Sequence, residues 1–207
     1  MPRIGVLAGA FNPVTRAHLA LLDAARRSTD ELLCVVPRAY PHKSFEGASF
    51  EERLEMLRAA ASSLGSGCCV ETTDSGLFID IARELRRGRA GAEIHFICGA
   101  DAAERIITWD YGHGGAIERQ LEEYGLLVAA RQGVYSPPEH LRHRVQPIAL
   151  DPAWQEISST EVRRRIASRE PWEHLVPEPA IEMIRRIYPP RPSSSTKVIP
   201  PYHPSHW

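Results

Sequence analysis

An α/β fold, a Rossmann-like doubly wound parallel sheet of about five or six strands with helices on both faces, is the architecture the sequence predicts. Two observations carry this. Short apolar runs alternate along the chain with stretches of helical period, and that alternation implies parallel crossovers and a sheet covered on both faces. The composition, 43% hydrophobic and 25% charged over 207 residues, is that of a globular chain with one substantial core.

The elements follow in order. Ile4–Ala8 is a first strand. Thr15–Arg27 carries Leu19, Leu22 and Ala25 among polar residues, an amphipathic helical stripe. Glu31–Val36 is a second strand, closed by Pro37, and Phe50–Leu64 is a helix with Leu54, Leu57 and Ala61 on one stripe. Cys68–Thr72 is a third strand, Phe78–Arg87 a helix and Glu93–Cys98 a fourth strand. Leu126–Ala130 and Val145–Leu150 complete the sheet, and Thr160–Ala167 and Ala180–Ile187 are terminal helices. No internal repeat is visible. One domain is expected over residues 1–188, followed by a Pro/Ser-rich tail, 189–207, without apolar period.

Charge and composition narrow the classes. The formal net charge is −1, so no global field draws nucleic acid or an anionic membrane. No apolar run approaches the ~20 residues that span a bilayer. The N-terminal segment lacks a signal-peptide pattern. A cytoplasmic chain with neither nucleic acid nor membrane as partner is expected, and self-association is left open. Cys34 and Cys98 lie in apolar runs, where a thiol behaves as a small hydrophobe. No Cys-x-x-Cys pair occurs, so no zinc site is expected.

In a parallel α/β sheet, ligands sit beyond the carboxyl ends of the strands. The first such end here is Gly9-Ala10-Phe11-Asn12-Pro13-Val14-Thr15-Arg16-Ala17-His18. Gly9 and Ala10 let backbone approach a ligand, and the amides opening the next helix favour phosphate. Thr15 and His18 are three residues apart, which puts a hydroxyl and an imidazole on one helix face. An imidazole there can donate to a phosphoryl oxygen and, when charged, stabilise a pentavalent transition state. Neither the Walker loop nor the dinucleotide glycine pattern is present.

A second constellation, Ile157 to Arg165, opens a late helix. Ser158 with Glu161 reads as a capping box. The same turn also reads as an anion clamp of helix-start amides, the Ser159 and Thr160 hydroxyls and Arg163. Three consecutive arginines cannot share one helix face, so Arg163 is assigned to the site and Arg164 and Arg165 to solvated surface.

Together these segments resemble the HxGH-type nucleotidyltransferase superfamily, whose forms are GG[TS]FDPxHxGH and ISSTxIR. More of the chain is similar to one branch, the bacterial nicotinate-mononucleotide adenylyltransferases. The matching stretches are Pro37–Lys43, then Arg53, Met56 and Leu57, then Gly99-Ala100-Asp101 and Thr108-Trp109. Arg131 with Gly133 and Leu175-Val176-Pro177 follow in the same order, so the match spans about residues 3–188. The resemblance implies transfer of AMP from ATP to nicotinate or nicotinamide mononucleotide by direct in-line attack. It implies triphosphate contacts from Gly9, Ala10, Phe11, His18, His42, Lys43, Ser159, Thr160 and Arg163. Thr15 occupies the first histidine's position, and His18, Thr15, Lys43 and Arg163 are the catalytic candidates. Gly99 and Asp101 would take the ribose; Trp109, Phe78 and Arg131 would face the acceptor. Trp109 alone reads equally as core packing. Mg2+ would accompany the triphosphate, without a dedicated protein site.

Departures from the pattern are local. Ala8 and Ala10 replace the glycine and hydroxyl residue of GG[TS], Asn12 replaces the aspartate, and Ala17 replaces the glycine before His18. Gly76-Leu77-Phe78 stands where the branch has its acceptor-contacting SYT, and carries no hydroxyl. These changes keep two alternatives open: the same fold using CTP or another small phosphorylated acceptor, and a catalytically silent nucleotide-binding homologue.

Overall fold

The computed structural model describes residues 1–40, 47–65, 67–109, 117–130 and 135–190. Its strands are β1 (Arg3–Ala8), β2 (Glu31–Pro37), β3 (Cys68–Thr73), β4 (Glu93–Gly99), β5 (Gly125–Ala129) and β6 (Val145–Ile148). They form one six-stranded sheet in the order β3-β2-β1-β4-β5-β6, with every neighbouring pair parallel. The helices are α1 (Arg16–Ala25), α2 (Phe50–Ala61), α3 (Phe78–Gly88), α4 (Ala100–Thr108), α5 (Ile117–Glu123), α6 (Ser159–Ser168) and α7 (Ile181–Ile187). Short 3-10 turns extend α1 over Arg26–Ser28 and α2 over Ser62–Leu64, which accounts for the longer helices expected there.

Two details differ from expectation. Pro37 is the last residue of β2, where its missing N–H costs no ladder bond, and the next amide, Arg38, donates to Thr73 O at 2.8 Å. Helices α4 and α5 were not anticipated, because both are short and Ala103 and Leu121 are their only buried residues.

Side chains of each strand alternate between two cores. In β2, Leu32, Cys34 and Val36 enter one core and Leu33 and Val35 the other. The first core receives Leu22 of α1, Met56 and Leu57 of α2, Val162 and Ile166 of α6 and Ile184 of α7. The second receives Ile81 and Leu85 of α3, Ala103 of α4 and Leu121 of α5. Burial on both faces is why the strands read as unbroken apolar runs. Each fully buried Leu or Ile contributes about 1.5–3 kcal/mol relative to exposure. Among the described residues, no helix is long and apolar enough to cross a membrane.

The strand order places the functional region. The chain winds outward from β1 through β2 to β3, then returns to lay β4 against the other side of β1. The connections after β1 and β4 therefore leave on opposite faces, and a crevice opens between their carboxyl ends.

Candidate active site

The β1–α1 connection forms one lip of this crevice. Gly9 donates its amide to Val35 O at 3.1 Å, so its N–H belongs to the sheet rather than to a ligand. Phe11 has φ 48°, a left-handed conformation that a bulky residue holds only when its surroundings enforce it. Its ring is buried and meets the His18 ring edge-on, with centroids 5.0 Å apart. Thr15 is the extended N-cap of α1 and is fully buried. Its backbone amide donates to His18 Nδ1 at 2.9 Å, the part that Glu or Gln plays in a capping box. Its Oγ1 also lies 2.9 Å from Nδ1.

This geometry fixes the imidazole chemically. A backbone amide can only donate, so Nδ1 is unprotonated and the neutral ring carries its proton on Nε2. Withdrawal from water pushes the His18 pKa down from the ordinary 6.5 to about 4. Near neutral pH, His18 without ligand is thus a neutral Nε2–H donor and not an imidazolium. The charged form envisaged from sequence requires a bound anion to raise it.

The lip is fastened from distant elements. Arg53 of α2, 5% exposed, donates from Nη1 to Ala10 O at 3.0 Å. Ser159, the first residue of α6, donates its hydroxyl to Pro13 O at 2.7 Å. Arg163, one turn later, donates to Asn12 O and lies 3.4 Å from Thr160 Oγ1. Tyr188, just past α7, donates its hydroxyl to Asn12 Oδ1. Helix α6 is itself capped by Ser158, which accepts from the Glu161 amide at 3.1 Å. Arg16, at the start of α1, donates to Val176 O at 3.1 Å and ties in the Leu175-Val176-Pro177 segment.

The facing lip follows β4. Gly99 is the N-cap of α4 and Asp101 sits in its first turn, exposed. Trp109 ends α4 and is 62% exposed. That exposure removes the core-packing reading of Trp109 and leaves an indole open to a flat ligand. After β3, Leu77 caps α3 and is 49% exposed.

Comparison with known proteins supplies the family and supports the fold. A family model described as cytidylyltransferase-like matches residues 6–165. The chain belongs to the cytidylyltransferase-like family. A relative from Geobacter metallireducens, named "Probable nicotinate-nucleotide adenylyltransferase", is 32% identical, covering 90% of this chain and 98% of the relative. A Thermus thermophilus relative of the same name is 33% identical over 87% of this chain and 95% of its own. Among solved structures, the Plasmodium falciparum nicotinic acid mononucleotide adenylyltransferase complexed with NaAD superposes with a TM-score of 0.69. It shares 18% identity and covers 90% of this chain and 96% of its own, a likeness of fold.

Within this cytidylyltransferase-like frame, several sequence expectations change. Thr15 is buried, and its amide and hydroxyl both meet His18 Nδ1, so it holds the imidazole in place. Ser159 and Arg163 direct donors at the carbonyls of Pro13 and Asn12, so they tie α6 to the β1–α1 loop. The Ser158–Glu161 box is half formed. The Glu161 carboxylate turns instead to Arg164 and Arg165, which hold its pKa down to about 2. Phe78, half-buried, packs against the second core, stacked on Phe96 at 3.9 Å and edge-on to Tyr124 at 6.0 Å, while its neighbour Leu77 projects. Arg164 pairs with Glu161 and Glu170 on exposed surface, as expected. His95, inside β4, is buried against Arg3 and structural. His42, Lys43, Arg131, Gly133 and residues 191–207 of the tail lie outside the described residues.

Two residues escaped the sequence reading. Arg53 matches the family pattern without an assigned role, and Tyr188 lies one residue past the expected helix Ala180–Ile187 with no role assigned. Nothing in the sequence signals either contact, because each acts on a loop far away in sequence, 43 positions for Arg53 and Ala10 and 176 for Tyr188 and Asn12. A cavity of about 780 Å3 runs along another flank of α1 between Leu19, Ala24, Leu150 and Trp154, and none of the predicted site residues lines it.

Proposed function

We propose that the chain transfers the adenylyl group of ATP to nicotinate mononucleotide, giving the deamido dinucleotide and pyrophosphate. The observation that carries this is a His18 donor held at the carboxyl end of β1, opposite the exposed Trp109 after β4, in a chain whose near-full-length relatives bear that enzyme's name. Structures of NaAD and ATP-analogue complexes with the same fold support nucleotides as substrates.

In this reading ATP spans the β1–β4 crevice with its phosphates on the Ala10–His18 lip. An acceptor phosphate oxygen attacks the α-phosphorus in line, the bond to the bridging oxygen breaks, and pyrophosphate leaves. Such chemistry asks the protein mainly for positioning and for donors aimed at developing charge. His18 Nε2–H supplies one donor, and the opening amides of α1 supply a favourable dipole. On the same reading Asp101 accepts from ribose hydroxyls and Trp109 stacks on the pyridine ring. Among the described residues, no group of three or more His, Cys, Asp or Glu forms a metal cage. In this reading magnesium enters with ATP, held by phosphate oxygens and water.

The test incubates purified protein with MgATP and either nicotinate or nicotinamide mononucleotide, and assays pyrophosphate and dinucleotide. Dinucleotide formation with nicotinate mononucleotide preferred is the expected result. Failure to form dinucleotide from either at high enzyme concentration overturns the reading. The projecting, apolar Leu77 favours a second reading with another phosphorylated acceptor or CTP. Greater thermal stabilisation by such a pair than by ATP and nicotinate mononucleotide would support it.

A further inference from the structure

We propose that Tyr188 is a positioning residue for the phosphate lip: acting through Asn12, it holds Phe11 in its left-handed conformation and so sets the place of the His18 ring. The inference rests on the proposed nucleotide site and goes beyond it, since Tyr188 touches no reacting group.

The chain of contacts is short. Tyr188 donates its hydroxyl to Asn12 Oδ1, and both residues are buried, at 8% and 5% exposure. The main chain of Asn12 is gripped separately by Arg163. Asn12 is thus held by its side chain from the end of α7 and by its carbonyl from α6. The residue before it is Phe11, with φ 48°. A bulky residue leaves that region unless its neighbours are fixed. The Phe11 ring in turn packs edge-on against His18.

Gly47 fits the same account. Its φ is +101°, and a Cβ there would lie 2.8 Å from Tyr188 Cε1 and 3.4 Å from Asn12 Oδ1. The backbone passes so close to the Tyr188–Asn12 pair that only glycine leaves room for it. Asn12 stands where the family pattern has aspartate. An amide oxygen accepts from the tyrosine without bringing a negative charge beside the phosphates.

The test compares wild type, Tyr188→Phe, Asn12→Ala and the double variant. Phenylalanine keeps the ring packing and removes only the hydroxyl. Two quantities are read: the Kd for MgATP by calorimetry, and the KM for the acceptor with kcat. Tyr188→Phe is expected to weaken MgATP binding and lower kcat by about five- to tenfold, with acceptor KM unchanged within twofold. The Tyr188 hydroxyl also accepts a hydrogen bond from the Ala48 backbone, but its effect on the lip runs through Asn12, so the double variant should be no worse than Asn12→Ala in Kd and kcat. Gly47→Ala, which crowds the pair without removing a hydrogen-bonding group, should reproduce the Tyr188→Phe defect. The proposal is overturned if Tyr188→Phe leaves Kd and kcat within twofold of wild type. It is equally overturned if the two substitutions multiply, or if acceptor KM rises as much as Kd. A wild type that binds MgATP but forms no dinucleotide sinks the enzyme reading and leaves the Kd comparison to decide this one. A wild type that binds no MgATP sinks both.

Discussion

His18 does two jobs with one ring. Its Nδ1 takes the amide that α1 leaves unpaired at its N-cap, and that bond commits the proton to Nε2. Replacing it therefore removes a donor and a helix cap together. His18→Ala should lower kcat by roughly 10²–10³, the range for loss of one donor to a developing charge, measured at saturating substrates. The protonation state has its own consequence. The folded imidazole has a pKa of about 4 against 6.5 in the unfolded chain, so between those values the unfolded state binds more protons. Stability from His18 is complete above pH 6.5 and is lost as pH falls towards 4. Wild type should lose more unfolding free energy than His18→Gln between pH 7 and pH 5 in urea titrations. Equal losses would show that the ring is not held neutral. The Thr15–His18 pairing was legible from sequence because the two stand three positions apart at a helix start. Which nitrogen bears the proton was not, since that depends on a backbone amide whose direction is set by the extended N-cap.

Helix α6 links stability to the site. Its N-cap, Ser158, satisfies the Glu161 amide, and the next turn presents Ser159 and Arg163 to the β1–α1 loop. Ser158→Ala should cost about 1 kcal/mol of unfolding free energy, the usual value of a lost cap. Because fraying begins at that turn, the same variant should weaken MgATP binding. Calorimetry alongside urea unfolding would reveal whether the two losses travel together; a stability loss with unchanged affinity would separate the cap from the clamp. The strands were legible element by element because β2, β4 and β5 are covered on both faces and so are apolar without interruption. Helix α4 was not, for the opposite reason: it lies on the second core with one buried residue, Ala103, and half-buried Ile106 and Ile107, too short a stripe to announce a helix.

At the scale of the molecule, the sheet order made the site findable. Alternating strands and helices predicted a parallel sheet, but not that β4 returns beside β1, and that return creates the crevice. The sheet interior also dominates stability. Leu33, fully buried in β2, contacts the second core, and Leu33→Ala should destabilise by about 2–5 kcal/mol with little change in the urea m-value. A smaller loss would mean that the core closes over the gap. The sequence motifs at residues 9–18 and 157–165 were visible separately, yet their direct contact was not: Ser159 and Arg163 bond to the carbonyls of Pro13 and Asn12. The fastening of that lip also has a temporal side. Synthesis runs from the N-terminus, so the phosphate loop leaves the ribosome early, while its partners Ser159, Arg163 and Tyr188 follow 146, 151 and 176 positions later. A nascent or truncated chain can complete β1 through β6 and still lack every fastener except Arg53. On the proposed function, tight nucleotide binding then requires a chain translated through α7.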